Sequence, residues 1–219
     1  MKREMIKAVL FDMDGVLIDT EKYLTQYWSQ AAHEAGLPLS VEDCYMFRSF
    51  ASKYAAKAFQ EKYGDEYDYF AIRNRRKELM KEHIEQNGIE IKPEVKETLQ
   101  ALKEKGYQIA VVTATDEERT KQYLTEMGIY DWFDSIICAT MVERGKPFPD
   151  VYLYACNRIG RKPEECMAVE DSPNGVTAAF EAGCHTVMVP DLTWPDEELE
   201  KKVIGVAKSL SGILEFLPH

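Results

Sequence analysis

Ala8-Val9-Leu10-Phe11-Asp12-Met13-Asp14-Gly15-Val16 is the stretch on which the reading of this chain turns. Its first four residues have the length and composition of a buried strand, and two carboxylates separated by one residue stand at the strand's end. Folding does not require them there, because buried charge costs desolvation energy unless it is paired or holds a metal. Gly15 lets the chain turn sharply and brings backbone amides close to a ligand. A nucleophilic carboxylate, a second carboxyl to move protons and a turn that seats an anion together suit phosphoryl transfer.

Outward from this stretch, short apolar runs recur from Ile6 to Phe11, Gln108 to Thr113, Ser135 to Ala139, Cys166 to Glu170 and Thr186 to Pro190. Helical patterns lie between them, from Glu94 to Lys105, Glu117 to Met127, Pro149 to Ile159 and Gly175 to Ala182. Gly106, Gly128 and Gly183 each follow a helix and precede a strand, as helix C-terminal signals do. The alternation predicts an α/β fold, a Rossmann-like parallel sheet covered on both faces. Between the first two runs the pattern breaks. From Thr20 to Asn87 helical periodicity with aromatics dominates (Tyr23, Tyr27, Trp28, Tyr54, Phe59, Tyr63), far too long a segment for a βα loop. The expected division is an α/β core of residues 1–19 and 88–219 with an inserted helical domain of residues 20–87.

Composition narrows the partners. Of 219 residues, 45% are hydrophobic and 30% charged, enough apolar material for a real core. The formal net charge of -11 argues against nucleic acid or an anionic membrane surface, which both need basic patches. A small anionic substrate is still permitted, because one local positive pocket outweighs a distant negative surface. The five cysteines, Cys44, Cys138, Cys156, Cys166 and Cys184, contain no CxxC pair, so no disulfide framework or zinc site is expected and a reducing cytoplasm is the natural compartment. Met1 to Met5 run straight into the first strand with no signal-peptide pattern, and no apolar stretch approaches a membrane span. Oligomeric state is not set by the sequence; a monomer is compatible with it.

Ligands of a doubly wound sheet bind at the carboxyl ends of strands near the topological switch point. Three strand ends here carry complementary groups: Asp12 and Asp14, then Thr113-Ala114-Thr115, then Glu170-Asp171-Ser172. Asp12 reads as the nucleophile, and Asp14 as the group that protonates the leaving oxygen and then deprotonates water. Two consecutive acids exceed what capping by Ser172 or Asn174 needs, and they suit a hard cation such as Mg2+. Its expected ligands are Asp12, Asp171 and the Asp14 carbonyl, with Glu170 direct or through water. Thr113, Ala114 and Thr115 offer hydroxyl and backbone donors to phosphate oxygens. Lys146, held in Gly145-Lys146-Pro147-Phe148-Pro149 before a helix, is aimed to neutralise phosphoryl oxygens and the Asp12 charge. Arg48 is expected to reach a second anionic group of the substrate. Arg73, Arg75, Arg76 and Lys77 read as a solvated helix face paired with Glu78, Glu82 and Glu85. His33, His83, His185 and His219 show no metal-ligand spacing.

Taken together, Asp12-Met-Asp14-Gly-Val-Leu-Ile-Asp19-Thr20, Thr113, Gly145-Lys146-Pro147 and Val169-Glu170-Asp171-Ser172-Pro173-Asn174-Gly175 resemble the four motifs of the haloacid dehalogenase superfamily, in order and in spacing. The place of the helical insertion is similar to the subgroup of β-phosphoglucomutase, phosphoglycolate phosphatase and small sugar-phosphate phosphatases. The resemblance implies a Mg2+-dependent phosphotransferase fold with a mobile helical cap. Asp14 speaks for phosphate esters, since dehalogenases and phosphonatases of the superfamily lack that second acid. Leu24 stands where β-phosphoglucomutase carries a histidine, and Asp116-Glu117-Glu118 stands where it grips a second phosphate, a stretch that would repel one. The expectation is a phosphatase acting on a small phosphorylated metabolite, a sugar or polyol phosphate, through an aspartyl-phosphate. The alternatives are a phosphomutase and, from a different class, a non-catalytic binding protein on the same scaffold.

Overall fold

Every residue of β1 (Ala8–Phe11) is buried, as a strand covered on both faces requires. In the computed structural model, which describes residues 6–218, β1 lies in the middle of a six-stranded sheet. Met1 to Met5, assigned to the core by the sequence reading, and His219 lie outside the described residues. The other strands are β2 (Gln108–Thr113), β3 (Ser135–Cys138), β4 (Cys166–Glu170), β5 (His185–Met188) and β6 (Gly205–Val206). Their order is β3-β2-β1-β4-β5-β6, and every pairing is parallel. The expected parallel α/β sheet is present, with a two-residue edge strand, β6, too short to leave a period in the sequence.

Alternation along the strands builds two apolar layers. Val9, Phe11, Ile109, Val111, Met167 and Val169 face one side, with Leu99 and Leu102 of α4 (Val95–Glu104) and Leu124 of α5 (Glu117–Glu126). Ala8, Leu10, Ala110, Val112 and Ala168 face the other, against α6 (Asp150–Arg158) and α7 (Pro173–Glu181). The order reverses at β1, whose register pairs Phe11 with both Val111 and Val169. The ends of β1, β2 and β4 are therefore side by side, at the switch point where such sheets bind ligands.

The insertion carries α1 (Glu21–Glu34), α2 (Ser52–Tyr63) and α3 (Tyr69–Asn87). It has an apolar centre of its own, with Trp28, Leu39, Phe47, Phe59, Tyr69 and Ile72. The rings of Phe47 and Tyr69 lie 5.2 and 5.4 Å from that of Trp28. Asp68 starts α3 by accepting hydrogen bonds from the Phe70 and Ala71 amides. The two chain crossings meet in a short antiparallel bridge, Ile18 with Ile91, flanked by bonds from Asp19 N to Glu90 O and from Lys92 N to Leu17 O. A remaining helix, α8 (Glu197–Glu200), lies near the sheet's far edge. No helix among the described residues is long and apolar enough to cross a membrane.

Candidate active site

The loop after β1 folds back on itself through bonds from Leu17 N to Met13 O and from Gly15 N to Ile18 O. Gly15 has φ +81°, and a Cβ there would overlap the Asp171 carboxylate, so the turn needs glycine for conformation and for space. The result places Asp12 and Asp14 above the sheet, facing the ends of β2 and β4.

Five chemistry-bearing side chains converge on Asp12. Lys146 Nζ lies 3.0 Å from Asp12 Oδ1 and 2.7 Å from Glu170 Oε1, and it donates to Val112 O at 3.0 Å. Tyr152 donates to the same Glu170 oxygen at 2.5 Å. Asp12, Glu170 and Asp171 each present an oxygen within 4.8 Å of the others, all three residues buried. Asp14 accepts from Thr20 Oγ1 at 2.5 Å and from Thr115 Oγ1 at 2.9 Å. Thr113 is buried, and its Oγ1 accepts the Thr115 amide at 3.0 Å. Ala114 and Thr115 line the cavity over Asp12 and Asp14.

Burial sets the electrostatics. It pushes the Asp14 carboxyl up, against the pull of the Thr20 bond. Burial and then the Asp12 charge raise Glu170 to about 8, and burial holds Asp171 well above the usual carboxylate range. Burial alone would depress the Lys146 ammonium, but Asp12 and Glu170 more than offset it and its pKa rises. Lys146 is thus a permanent positive charge between two acids. Two carboxylate atoms of the cluster, Glu170 Oε2 and Asp171 Oδ1, are buried without a hydrogen-bond partner. A Cβ on Gly175 would overlap the Glu170 carboxylate, just as one on Gly15 would overlap Asp171. Oxygens left unpaired in a crowded acidic pocket are what a hard divalent cation coordinates.

Residues of the inserted segment lie against this cluster. Ser49, in the left-handed region at φ 49°, donates to Asp12 Oδ2 at 3.1 Å. Of the two capping candidates, Ser172 caps α7 by accepting the Gly175 amide, while Asn174 donates to Arg48 O at 2.8 Å. Ala51 N donates to Lys146 O, and the Tyr54 and Phe148 rings lie 4.7 Å apart.

Arg48 has partners within the chain, and the reading of the basic run needs correction. Arg48 is fully engaged with the protein: Nε donates to Glu21 Oε2 at 3.1 Å, one terminal nitrogen pairs with Asp171 and the other donates to Thr193. Buried acids demand a counter-charge and Arg48 supplies it, while also lining the cavity over Asp12 and Asp14. Of the basic run, Arg75 does pair with Glu34 and Glu78 on the surface. Arg73 and Arg76 instead turn inward and line the cavity with Asp12 and Asp14. The sequence reading gave no site role to Glu21, Ser49, Tyr152 or Arg119. Burial pushes Glu21 up to about 7. Only Arg73 and Arg76 left a sequence signal, a helical stripe with Tyr69 and Met80 at intervals of three and four.

A family model described as haloacid dehalogenase-like hydrolase matches residues 6–183. Hexitol phosphatase A of Escherichia coli (strain K12) is 32% identical over 187 residues, covering 84% of this chain and 82% of that protein. A phosphorylated carbohydrates phosphatase of Thermotoga maritima is 28% identical, covering 83% of this chain and 84% of that one. Among solved structures, CbbY from Rhodobacter sphaeroides in complex with phosphate superposes with a TM-score of 0.79 at 25% identity, over 97% of this chain and 99% of that one.

Proposed function

The chain belongs to the haloacid dehalogenase-like hydrolase family, and from that premise we propose that it is a Mg2+-dependent phosphatase of small phosphorylated metabolites, sugar or polyol phosphates. The observation that carries the proposal is the convergence of Asp12, Asp14, Lys146, Glu170 and Asp171 beneath a lid whose Ser49 touches Asp12. The names of the hexitol and carbohydrate phosphatases support the substrate class. Residues 20–87 are read as the cap and residues 1–19 and 88–219 as the catalytic core.

Asp12 is the nucleophile. Its Oδ1 is held by Lys146 and by the Met13 amide at 2.8 Å, so the Oδ2 oxygen beside Ser49 is the one aimed at the cavity. Attack on phosphorus forms an aspartyl-phosphate and expels the alcohol, which takes a proton from Asp14. Water attacking that intermediate gives its proton back to Asp14, releasing phosphate and restoring the enzyme. The raised Asp14 suits both duties, since it holds a proton at higher pH than a free carboxyl does. Lys146 neutralises phosphoryl oxygen charge, and it needs no reorganisation because Asp12, Glu170 and Val112 already fix it. Thr113, Ala114 and Thr115 would donate to the same oxygens, and Ala114 and Thr115 line the cavity. Asp12, Glu170 and Asp171, with the Asp14 carbonyl, would hold the divalent cation. Bound there, a cation supplies Lewis-acid charge neutralisation of the phosphoryl group. Cap closure excludes bulk water while the acyl phosphate exists.

Hydrolysis of p-nitrophenyl phosphate tests this directly. Turnover is expected with Mg2+ and not with EDTA, and Asp12→Asn is expected to abolish it. Persistence of turnover in that variant would remove the assigned nucleophile. Isomerised sugar phosphate in place of inorganic phosphate would make the enzyme a mutase.

A further inference from the structure

The cavity above Asp12 has a second wall, and that wall is positive. One face of α3 presents Tyr69, Arg73, Arg76 and Met80 to it, while Arg119 and Tyr123 face it from α5 of the core. Arg119 is answered by Asp116, at 2.8 Å from Nε and 2.6 Å from a terminal nitrogen. This pairing also neutralises the acid that the sequence reading expected to repel a second phosphate; Glu117 and Glu118 are exposed. Arg73 and Arg76 are different. Among the described residues neither takes part in an ion pair, although 38 acidic residues are available to the chain. The Arg76 guanidinium packs over the Trp28 ring at 5.1 Å, and its Nε is buried without a hydrogen-bond partner. Burial, then Arg73 and Arg119, depress Arg76 to about 10, and burial also lowers Arg73. The cap-side acid whose charge acts on Arg76, Glu21, is already bound to Arg48.

Two guanidiniums with no ion pair of their own cost desolvation and mutual repulsion. The Tyr69 hydroxyl and Asp116 at Arg73, and Glu21 and the Trp28 ring at Arg76, offset this only in part, since burial and like charge still depress both. An anion between them would offset both costs. Guanidinium favours carboxylate and phosphate, to which it can donate two parallel hydrogen bonds, and stacking on Trp28 fixes its plane.

We propose that Arg73 and Arg76, with Arg119 opposite, form a subsite for a second anionic group of the substrate, a carboxylate or a phosphate, remote from the phosphoryl group that reacts. This rests on the phosphatase reading and narrows it: the preferred substrates are phosphate monoesters with an anion at the other end of a short carbon chain. The cavity, about 100 Å³, is sized for a compact skeleton.

Matched substrates test it. Glycerol 3-phosphate and 3-phosphoglycerate differ by a carboxylate, and glucose 6-phosphate and glucose 1,6-bisphosphate by a phosphate. The wild type is expected to favour the anionic member of at least one pair by about tenfold to a hundredfold in kcat/KM, mainly through KM. Which pair responds identifies the group. Arg76→Met and Arg73→Met should collapse that ratio toward one, Arg76→Lys should restore part of it, and Arg75→Met should leave it unchanged. A ratio at or below one in both pairs overturns the proposal, as does an equal loss on both members in the arginine variants. If p-nitrophenyl phosphate is not hydrolysed with Mg2+, the phosphatase reading has failed. The subsite is then judged by calorimetric binding of the same pairs, and equal affinity overturns it.

Discussion

Replacing Lys146 by methionine keeps the side chain's length and removes its charge. In the wild type the ammonium is buried 3.0 Å from Asp12 and 2.7 Å from Glu170, and it also satisfies Val112 O. The variant would leave two buried carboxylates facing each other and one carbonyl unpaired. Removing one partner of a buried ion pair costs ~3–5 kcal/mol, because the remaining charge keeps its desolvation penalty. Part of that is recoverable: Glu170 already titrates at about 8, and a proton on it relieves the repulsion. The penalty should therefore approach its full size at pH 8.5, where the wild-type pair is ionised, and shrink at pH 6. For a chain of this length ~3 kcal/mol corresponds to a fall in Tm on the order of 10 °C. Urea unfolding in EDTA at the two pH values measures the stability change. Phosphate release with Mg2+ measures catalysis, which should drop by about 10²–10³ as the preorganised charge is lost. A destabilisation below about 1 kcal/mol at pH 8.5, or one larger at pH 6, would refute the reasoning.

The metal-free protein should lose stability as pH rises from 5 to 8. Folded Glu170 (about 8) and Glu21 (about 7) lie above the ordinary value of 4.5, so the folded state binds more protons in that window; a Tm in EDTA that is flat or rising would contradict this. Gly175→Ala adds a methyl group where the Glu170 carboxylate sits. It should destabilise by ~1–3 kcal/mol despite alanine's better helix propensity and should weaken Mg2+ binding, so a more stable variant in denaturant titration would refute the packing argument. Asp14→Asn should lower steady-state phosphate release by ~10²–10⁴ while sparing the initial burst of p-nitrophenolate, a leaving group that needs no proton. Loss of the burst together with the steady state would place Asp14 in the first displacement for some reason other than proton donation.

The core was legible because its parallel strands are buried on both faces and read as unbroken apolar runs, and because glycines close the helices that precede them. Gly106, Gly128 and Gly183 adopt φ of 78°, 67° and 87°. The helices between β1 and β2 were legible by the length of that stretch and its aromatic content, and α1, α2 and α3 lie there. Helix ends shifted by a residue or two, as with α6, read from Pro149 and found from Asp150. The edge strand β6 left no trace, because two residues held by neighbouring strands need no propensity of their own.

At the site, legibility stopped where charge had to be assigned a direction. Asp12, Glu170 and Asp171 stood out because consecutive or closely spaced charges at strand ends have no role in folding, and Lys146 because glycine and two prolines stiffen its loop before a helix. Arg73 and Arg76 were not, because an arginine on a helix is ordinarily a solvated residue, and Arg75 between them obeys that rule with Glu34 and Glu78. The rule assumes that the helix's buried face meets apolar side chains. Here part of that face meets a cavity floored by Asp12 and Asp14, so positive charge is turned inward. Arg48 shows the same reversal: its partners Glu21, Asp171 and Thr193 are 27, 123 and 145 residues away, and no local pattern encodes them. A charge that departs from its usual side of a helix does so because something across the fold answers it. Arg48 is paired with acids of the chain, whereas Arg73 and Arg76 take part in no ion pair among the described residues and Arg76 Nε is buried without a partner, which is why the substrate is the place to look for one.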